Sequence, residues 1–191
     1  MERFDVFLIG VGGQGIGLLS EALLRAADAA GLTVRGVDTH GLAQRGGVVS
    51  SHLRLGEAAH SPLVSPGEAH LVVALERHEA LRGLTEWAAP GGTLVYYDAV
   101  WQPLGVRLGQ VAAVEGEAVQ AECARRGVRG VRVCVADLPD SRMQNVAVLA
   151  AIARQALLPG VGRDHYRQAL GDLLGGAALA ANLALFDRLV T

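Results

Sequence analysis

A glycine-rich segment near the amino terminus carries the clearest chemical signal in the sequence. Gly10, Gly12 and Gly15 match the pattern GxGxxG directly after a short β-branched and aromatic run at residues 5–9. Such a turn lets the backbone approach a phosphate at the amino end of a helix, where free N–H groups and the helix dipole favour an anion. The segment therefore predicts an anion-binding turn. The alternative is a close strand-to-helix crossing that binds nothing.

A second polar loop follows the next predicted strand and ends in two glycines. Its Arg45 precedes Gly46 and Gly47 and therefore has little steric cover. An arginine in this setting suits a forked contact with a carboxylate, a phosphate or a pyrophosphate, and its ordinary alternative is an ion pair with a neighbouring acid. In a doubly wound sheet both loops lie at the carboxyl edge of the strands. The candidate binding residues are Gly10, Gly12, Gly13, Gln14, Gly15, His40, Gln44, Arg45, Gly46 and Gly47.

Asp38 gives the glycine turn a second interpretation. It ends the second predicted strand 23 positions after Gly15, near the spacing of a carboxylate that binds the ribose of a dinucleotide. The long loop after Asp38 occupies the crevice that the adenosine would use, which weakens this interpretation. A free-standing NAD-binding oxidoreductase therefore stays open as an alternative, and a non-enzymatic scaffold with an empty glycine turn is a third hypothesis.

The chain offers little other catalytic machinery. All 17 basic residues are arginine, which excludes a lysine Schiff base and a phosphate-loop lysine. Cys123 and Cys134 have neither CxxC nor metal-cluster spacing, so we expect two reduced, buried thiols. The six histidines form no paired-ligand pattern, and the sequence has no GxSxG. We therefore predict no catalytic side chain and no metal site on this chain.

The composition describes an apolar globular protein. Apolar residues make up 51% of the chain, charged residues 19%, and the formal net charge is −2. These values exclude disorder and a polybasic arm for nucleic acid. The longest uncharged stretches, residues 6–20 and 173–186, are too short to span a membrane, and the first residues do not resemble a signal peptide, so we expect a cytoplasmic protein. The apolar excess indicates that a partner covers part of the surface.

The elements that must position these loops alternate along the chain. Strands are predicted at residues 5–9, 33–37, 48–55, 71–75, 93–97, 110–114 and 131–135. Helices are predicted at 16–30, 77–88, 115–126, from Asp140 to about 157, 163–174 and 176–190, with 101–108 the least regular segment. This order predicts a single α/β domain over residues 1–191: doubly wound and Rossmann-like, with a mostly parallel sheet, helices on both faces and a helical C-terminal tail.

The succession of motifs resembles a known family over nearly the whole chain. GVGGQG at 10–15 is followed by HGLAQRGG at 40–47, SPLV at 61–64, GEA at 67–69, ALE at 74–76 and EALR at 79–82. These segments resemble the gamma-type subunit of 2-oxoacid:ferredoxin oxidoreductases, most closely the small (beta) subunit of indolepyruvate ferredoxin oxidoreductase. The resemblance continues through MQN at 143–145 and the C-terminal segment with Asn182. His70 is a departure, since the family usually has an acid there.

The resemblance implies a subunit of an enzyme that is not active alone. The complex would oxidatively decarboxylate an aryl 2-oxoacid such as indolepyruvate, form an acyl-CoA from coenzyme A and pass two electrons to ferredoxin. Thiamine diphosphate and iron–sulfur clusters would lie in a large partner subunit, and coenzyme A would be a co-substrate. This chain would hold no cofactor alone. Its candidate residues would form one wall of the shared site, next to either the coenzyme A phosphates or the thiamine diphosphate region.

Overall fold

A six-stranded sheet forms the centre of the protein. The computed structural model describes residues 2–39, 47–101, 106, 108–110 and 112–191. The strands are β1 (Phe4–Val11), β2 (Val34–Thr39), β3 (Val48–Leu55), β4 (Ala69–Ala74), β5 (Ala88–Tyr97) and β6 (Arg129–Val133). They lie in the order β2-β3-β1-β4-β5-β6. β1, β4, β5 and β6 are parallel, whereas β3 is antiparallel to both of its neighbours. The predicted mostly parallel sheet is confirmed.

Helices cover both faces of the sheet because its central strands are apolar throughout. They are α1 (Ile16–Ala29), α2 (Arg77–Glu86), α3 (Gly116–Arg126), α4 (Gln144–Arg154), α5 (Arg163–Leu173) and α6 (Gly176–Val190). α2 and α3 pack on one face around Phe7 and Tyr96. α1, α4, α5 and α6 pack on the other face around Leu8 and Val73. None of the helices in the described ranges combines the length and apolar character that a bilayer-spanning segment needs.

The helix predicted from Asp140 begins differently from expectation. A 3-10 turn, Ser141–Met143, precedes α4, and the Asp140 carboxylate caps it by accepting a hydrogen bond from the Arg142 N–H at 2.8 Å. α4 itself is buried at every residue from Gln144 to Ile152. Such a helix is held by packing around its whole circumference, unlike a surface helix with one apolar stripe.

The strand predicted at residues 110–114 is wrong in its described part. Residues 110 and 112–114 are irregular, and residue 111 lies outside the described residues, as does most of segment 101–108. The backbone there bonds to a side chain instead of to a neighbouring strand. The Val114 N–H donates to Nε2 of His78 at 3.1 Å, and Nδ1 of the same ring lies 3.0 Å from the Glu76 carboxylate.

His70, the departure from the family pattern, takes part in the start of the sheet. Its Nδ1 accepts a hydrogen bond from the Asp5 N–H at 3.0 Å, and its ring stacks on Phe4 with the centroids 5.2 Å apart. The Asp5 carboxylate is buried and paired with Arg54 at 3.0 Å. The histidine therefore supplies a local hydrogen bond at the point where β1 and β4 begin.

Two buried carboxylates lie at the start of α2. Glu76 is its N-cap and accepts hydrogen bonds from the backbone N–H groups of His78 (2.6 Å) and Glu79 (3.0 Å). Glu79 is also fully buried, but neither of its carboxylate oxygens has a hydrogen-bond partner in the described structure. Its nearest cation, Arg82, is 3.6 Å away and half exposed. Burial, opposed by Arg82, raises the pKa of Glu79 because it disfavours the charged form.

Replacing Glu79 with glutamine should change the pH dependence of folding. Because the folded protein holds the Glu79 proton more tightly than the unfolded chain does, the native free energy of unfolding should fall as pH rises above the ordinary carboxyl pKa of about 4.3. Glu79→Gln removes this loss. We expect urea denaturation to show similar stability for both proteins near pH 4 and a more stable variant at pH 7. Glu57→Gln, an exposed glutamate that is not among the charges that shift the Glu79 pKa, is the control. A Glu79→Gln profile parallel to that of the native protein would contradict the prediction.

Candidate functional site

The glycine turn lies at the carboxyl end of β1 and is joined to the end of the second loop. The Gly12 N–H donates to the Gly47 carbonyl at 2.8 Å. An ideal Cβ at Gly10 would lie 2.8 Å from the Ile16 side chain, so glycine is needed for α1 to cross β1 this closely. The turn therefore has a packing role of its own, and the two predicted loops meet at one edge of the sheet.

Gln14 shapes this turn from the inside. Its side chain is fully buried, its Oε1 accepts a hydrogen bond from the Val11 N–H at 2.7 Å, and its Nε2 donates to the Leu75 carbonyl at 2.8 Å. The amide thus connects the end of β1 to the residue that follows β4. Both of its polar ends are used within the protein, so this side chain supports the turn, and contact with a ligand is left to the backbone.

The amino end of α1 presents backbone donors. Gly13 and Gly15 have φ of 101° and 84°, which L-residues rarely adopt. Gly15 is the N-cap of α1, and the first turn contains neither a side-chain cap nor an acidic residue. The first N–H groups of a helix lack intrahelical acceptors. Together with the helix dipole they favour an anion at this position.

The turn forms one wall of a cavity of about 560 Å³, within the size range of small-molecule sites. Its other walls come from the 3-10 turn, the start of α4 and the exposed side of α6. Gly13 and Gly15 lie opposite the small residues Ala178 and Ala181 of α6. The polar side chains of the lining are Asp140, Arg142, Asn145 and Asn182.

Arg142 and Asp140 place a charged pair in the cavity lining. The guanidinium hydrogen-bonds both carboxylate oxygens, with Nη2 2.6 Å from Oδ2. Arg142 holds the pKa of Asp140 down to about 2, so the pair is ionised at neutral pH. The Arg142 side chain is 79% exposed, and exposed ion pairs contribute little stability. Exchange of Asp140 for an incoming anion therefore costs little.

The described structure brings together six of the ten predicted site residues. These are Gly10, Gly12, Gly13, Gln14, Gly15 and Gly47. The other four, His40, Gln44, Arg45 and Gly46, lie outside the described residues.

The opposite wall of the cavity was missed from the sequence. None of the residues of this wall is among the ten predicted binding residues. Asn145 is 4% exposed and contacts Gly15. Asn182 lies on α6 and lines the cavity. A positional signal existed, because the segment that directly follows β6 starts from the carboxyl edge that also carries the glycine turn.

Asp38, the candidate ribose ligand, is tied to α1. Its Oδ1 accepts a hydrogen bond from Ser20 Oγ at 3.2 Å. This contact engages one of the oxygens that the NAD hypothesis needs, so the structure offers that hypothesis no added support.

The cysteines differ from each other. Cys123 is buried, and burial raises the pKa of its thiol to about 11, which makes it unreactive. Cys134 is exposed, so the expectation of two buried thiols is wrong for this residue. It directly follows the edge strand β6, where alternate side chains face solvent. Within the described ranges, no group of three or more His, Cys, Asp and Glu residues is arranged to hold a metal ion.

The fold defines a Rossmann-like α/β protein with a glycine-rich turn at the carboxyl edge of its sheet. The chain belongs to the pyruvate ferredoxin/flavodoxin oxidoreductase family, whose model matches residues 5–190.

The chain is similar to named relatives over about two fifths of its length. It is 48% identical over 80 residues to the indolepyruvate oxidoreductase subunit IorB of Archaeoglobus fulgidus, covering 42% of this chain and 39% of the relative. It is 43% identical over 82 residues to IorB of Methanothermobacter thermautotrophicus, covering 43% and 41%. These alignments span about two fifths of the curated relatives.

Solved structures share the fold over the whole chain. Subunit PORC of pyruvate oxidoreductase from Thermotoga maritima gives a TM-score of 0.67 at 17% identity, covering 100% of this chain and 96% of that one. The 2-oxoglutarate:ferredoxin oxidoreductase of Magnetococcus marinus, solved with 2-oxoglutarate, coenzyme A and succinyl-CoA, gives 0.70 at 19% identity, covering 98% of this chain and 30% of that one. At these identities the similarity establishes the fold.

Truncating Gln14 should destabilise the glycine turn. Gln14→Ala leaves the Val11 N–H and the Leu75 carbonyl without their buried partner, which costs about 1–3 kcal/mol for each unsatisfied group. We expect chemical denaturation to give a free energy of unfolding lower by about 2–4 kcal/mol. Gln168→Ala, at an exposed position of α5, is the matched control and should change it by less than about 0.5 kcal/mol. Equal effects of the two variants would refute the role assigned to Gln14.

Proposed function

We propose that this chain is the small, gamma-type subunit of a 2-oxoacid:ferredoxin oxidoreductase that acts on indolepyruvate or a related aryl 2-oxoacid. The family assignment and the IorB relatives support the reaction class and the substrate class. One geometric observation carries the proposal at the level of the site. The uncapped amino end of α1 opens onto a cavity large enough for a diphosphate. The turn that precedes α1 is hydrogen-bonded to the end of the second loop, through Gly12 and Gly47.

The proposed subunit works in a cytoplasmic heteromer. Residues 1–191 form one domain, and the large partner subunit holds thiamine diphosphate and the iron–sulfur clusters and passes electrons to ferredoxin. In the proposed complex, thiamine diphosphate supplies the carbanion chemistry of decarboxylation. Reduced thiols and iron–sulfur chemistry belong to a reducing compartment.

The contribution of this chain is electrostatic and positional. The backbone N–H groups of Gly13, Gly15 and the first turn of α1 face the proposed anion, and Arg45 supplies a guanidinium from the second loop. The N–H groups of Gly12 and Gln14 donate within the turn region, to the carbonyls of Gly47 and Val11. The proposed binding set is Gly10, Gly12, Gly13, Gln14, Gly15, His40, Gln44, Arg45, Gly46 and Gly47, with Gln14 acting through the backbone it supports. The anion is the diphosphate of coenzyme A or of thiamine diphosphate. Held in place, it fixes the reacting end of its molecule without a bond-making side chain from this chain.

Co-purification tests the proposed function. The chain is expressed with an untagged large thiamine diphosphate and iron–sulfur subunit, and aryl 2-oxoacid-dependent reduction of a viologen dye is measured with and without coenzyme A. A stable complex that needs both subunits and coenzyme A is expected. A chain that purifies as an isolated monomer, and whose thermal stability rises on titration with NAD, would replace the proposal with the dinucleotide hypothesis.

Arg45→Ala should lower turnover far more than it disturbs folding. Loss of a forked guanidinium–phosphate contact removes about 1.5–3 kcal/mol, equivalent to at least about tenfold in kcat/KM of the assembled complex. The melting temperature should change by less than about 2 °C. Arg129→Ala, an exposed arginine at the start of β6 and therefore at the opposite edge, is the control. Unchanged kinetics of Arg45→Ala in the assembled complex would remove Arg45 from the site.

A further inference from the structure

Asn145 is one of two buried amides, with Gln144, at the start of a helix that is apolar along the rest of its buried length. It is 4% exposed, and the residues that follow it, 146–152, are all buried and apolar. A buried amide is costly unless its polar atoms are paired. Its Oδ1 accepts a hydrogen bond from the Val146 N–H at 2.8 Å, and its Nδ2 lies 3.4 Å from the Gly15 carbonyl, to which it donates. The amide therefore ties the start of α4 to the glycine turn, 130 residues earlier.

Asn145 and Gly15 have complementary shapes. An ideal Cβ at Gly15 would lie 2.5 Å from Nδ2 of Asn145, closer than real Cβ atoms approach. The amide thus occupies the volume that any other residue at position 15 would fill. Glycine is therefore required at position 15 for two independent reasons. Its φ is 84°, and the Asn145 amide fills the space that a Cβ would need.

This contact controls the direction of a peptide group at the candidate site. The Gly15 carbonyl also accepts from the Leu19 N–H at 3.1 Å, the first hydrogen bond of α1. The peptide between Gly15 and Ile16 is planar and trans, so fixing its C=O also fixes the Ile16 N–H, which points out of the amino end of the helix. Asn145 and Gly15 both line the cavity. The amide therefore restricts the first donors of α1 before any ligand binds.

We propose that Asn145 is a positioning residue that orients the amino end of α1 for a diphosphate bound in the cavity. The inference rests on the proposed function, whose site it deepens. It gives a role to a buried amide at a position of α4 where a hydrocarbon side chain would pack without polar cost. Preorganised donors bind an anion more tightly because they need no reordering.

Three substitutions separate positioning from packing. Asn145→Asp keeps the shape, removes the donor and adds a negative charge beside the amino end of α1. Asn145→Ala removes both donor and volume, and Asn145→Ser keeps a small donor. Positioning predicts a loss of diphosphate affinity in the order Asp, Ala, Ser, with about tenfold for Asp. A packing role predicts that Asp, which preserves volume, is the mildest change and that affinity stays constant.

The measurements use the assembled complex and separate the two sources of diphosphate. One arm measures KM for coenzyme A against kcat, and the other measures the thiamine diphosphate concentration that half-restores activity after depletion. If Asn145 is a positioning residue, either the KM for coenzyme A or the half-restoring concentration of thiamine diphosphate should rise about tenfold in Asn145→Asp. The kcat should change less than about twofold. The matched control is Gln120→Glu, an amide on the opposite face that donates to Tyr96 Oη at 3.1 Å, which should leave both constants unchanged.

Calorimetric binding distinguishes failure of this inference from failure of the proposed function. Coenzyme A, thiamine diphosphate and inorganic pyrophosphate are titrated into the wild-type and variant complexes without turnover. If the wild-type complex binds one of these ligands but turns over no 2-oxoacid, the proposed function is refuted. The ligand affinities of the Asn145 variants then still test the positioning role. Affinities within twofold of wild type in all three variants overturn the inference, and so does a wild-type complex that binds none of the ligands. If the Asn145→Asp complex does not assemble, the ligand affinities of Asn145→Ala and Asn145→Ser are compared instead. The positioning role predicts the weaker affinity for Asn145→Ala.

Discussion

The turn from β1 into α1 depends on one buried amide, that of Gln14. A backbone that crosses this closely leaves polar groups that no regular ladder can satisfy, and buried groups of this kind must be paired. Gln14 pairs two of them, one at the end of β1 and one after β4. The chain gains a tight turn without a side chain at its outer surface. Because the turn has no capping side chain, the first N–H groups of α1 stay available to a ligand. A serine or aspartate cap would have used these donors internally.

The antiparallel strand β3 brings the second loop to this turn. In a purely parallel arrangement the chain would return to the opposite edge before the next strand, and the loop after β2 would end away from β1. Here Val48 pairs with Val11, so β3 begins where β1 ends, and Gly47 accepts the Gly12 N–H. The mixed topology therefore has a local function: it places two glycine-rich segments, far apart in sequence, at one edge. The carboxyl edge collects the candidate groups as the rule for α/β sheets requires.

Much of this architecture is readable from the sequence, and the exceptions have physical causes. The apolar runs of β1 and β4, the periodicity of α1 and the glycines after residue 9 predicted the two strands, the helix and the tight turn between β1 and α1. The false strand near residue 112 failed because its backbone bonds to the His78 ring, a long-range contact that local pattern does not encode. The exposed Cys134 likewise depends on β6 being an edge, which is a property of strand order. The contact between Asn145 and Gly15 was missed for the same reason, since it joins residues that are 130 positions apart in the sequence.

The lining of the cavity consists of backbone groups, small side chains and a few polar ones, which suit the positioning of an anion better than bond-making chemistry. Its donors are backbone groups fixed by packing, and its one guanidinium in the described lining is already matched by Asp140. Fixed dipoles lose little on binding, whereas mobile side chains must be ordered, so this construction favours preorganisation over reactivity. The small, partly exposed alanines of α6 leave one side of the cavity uncovered by bulky groups. A wall of backbone donors takes part in catalysis only when reactive groups face it, and the proposed complex assigns those groups to the large partner subunit.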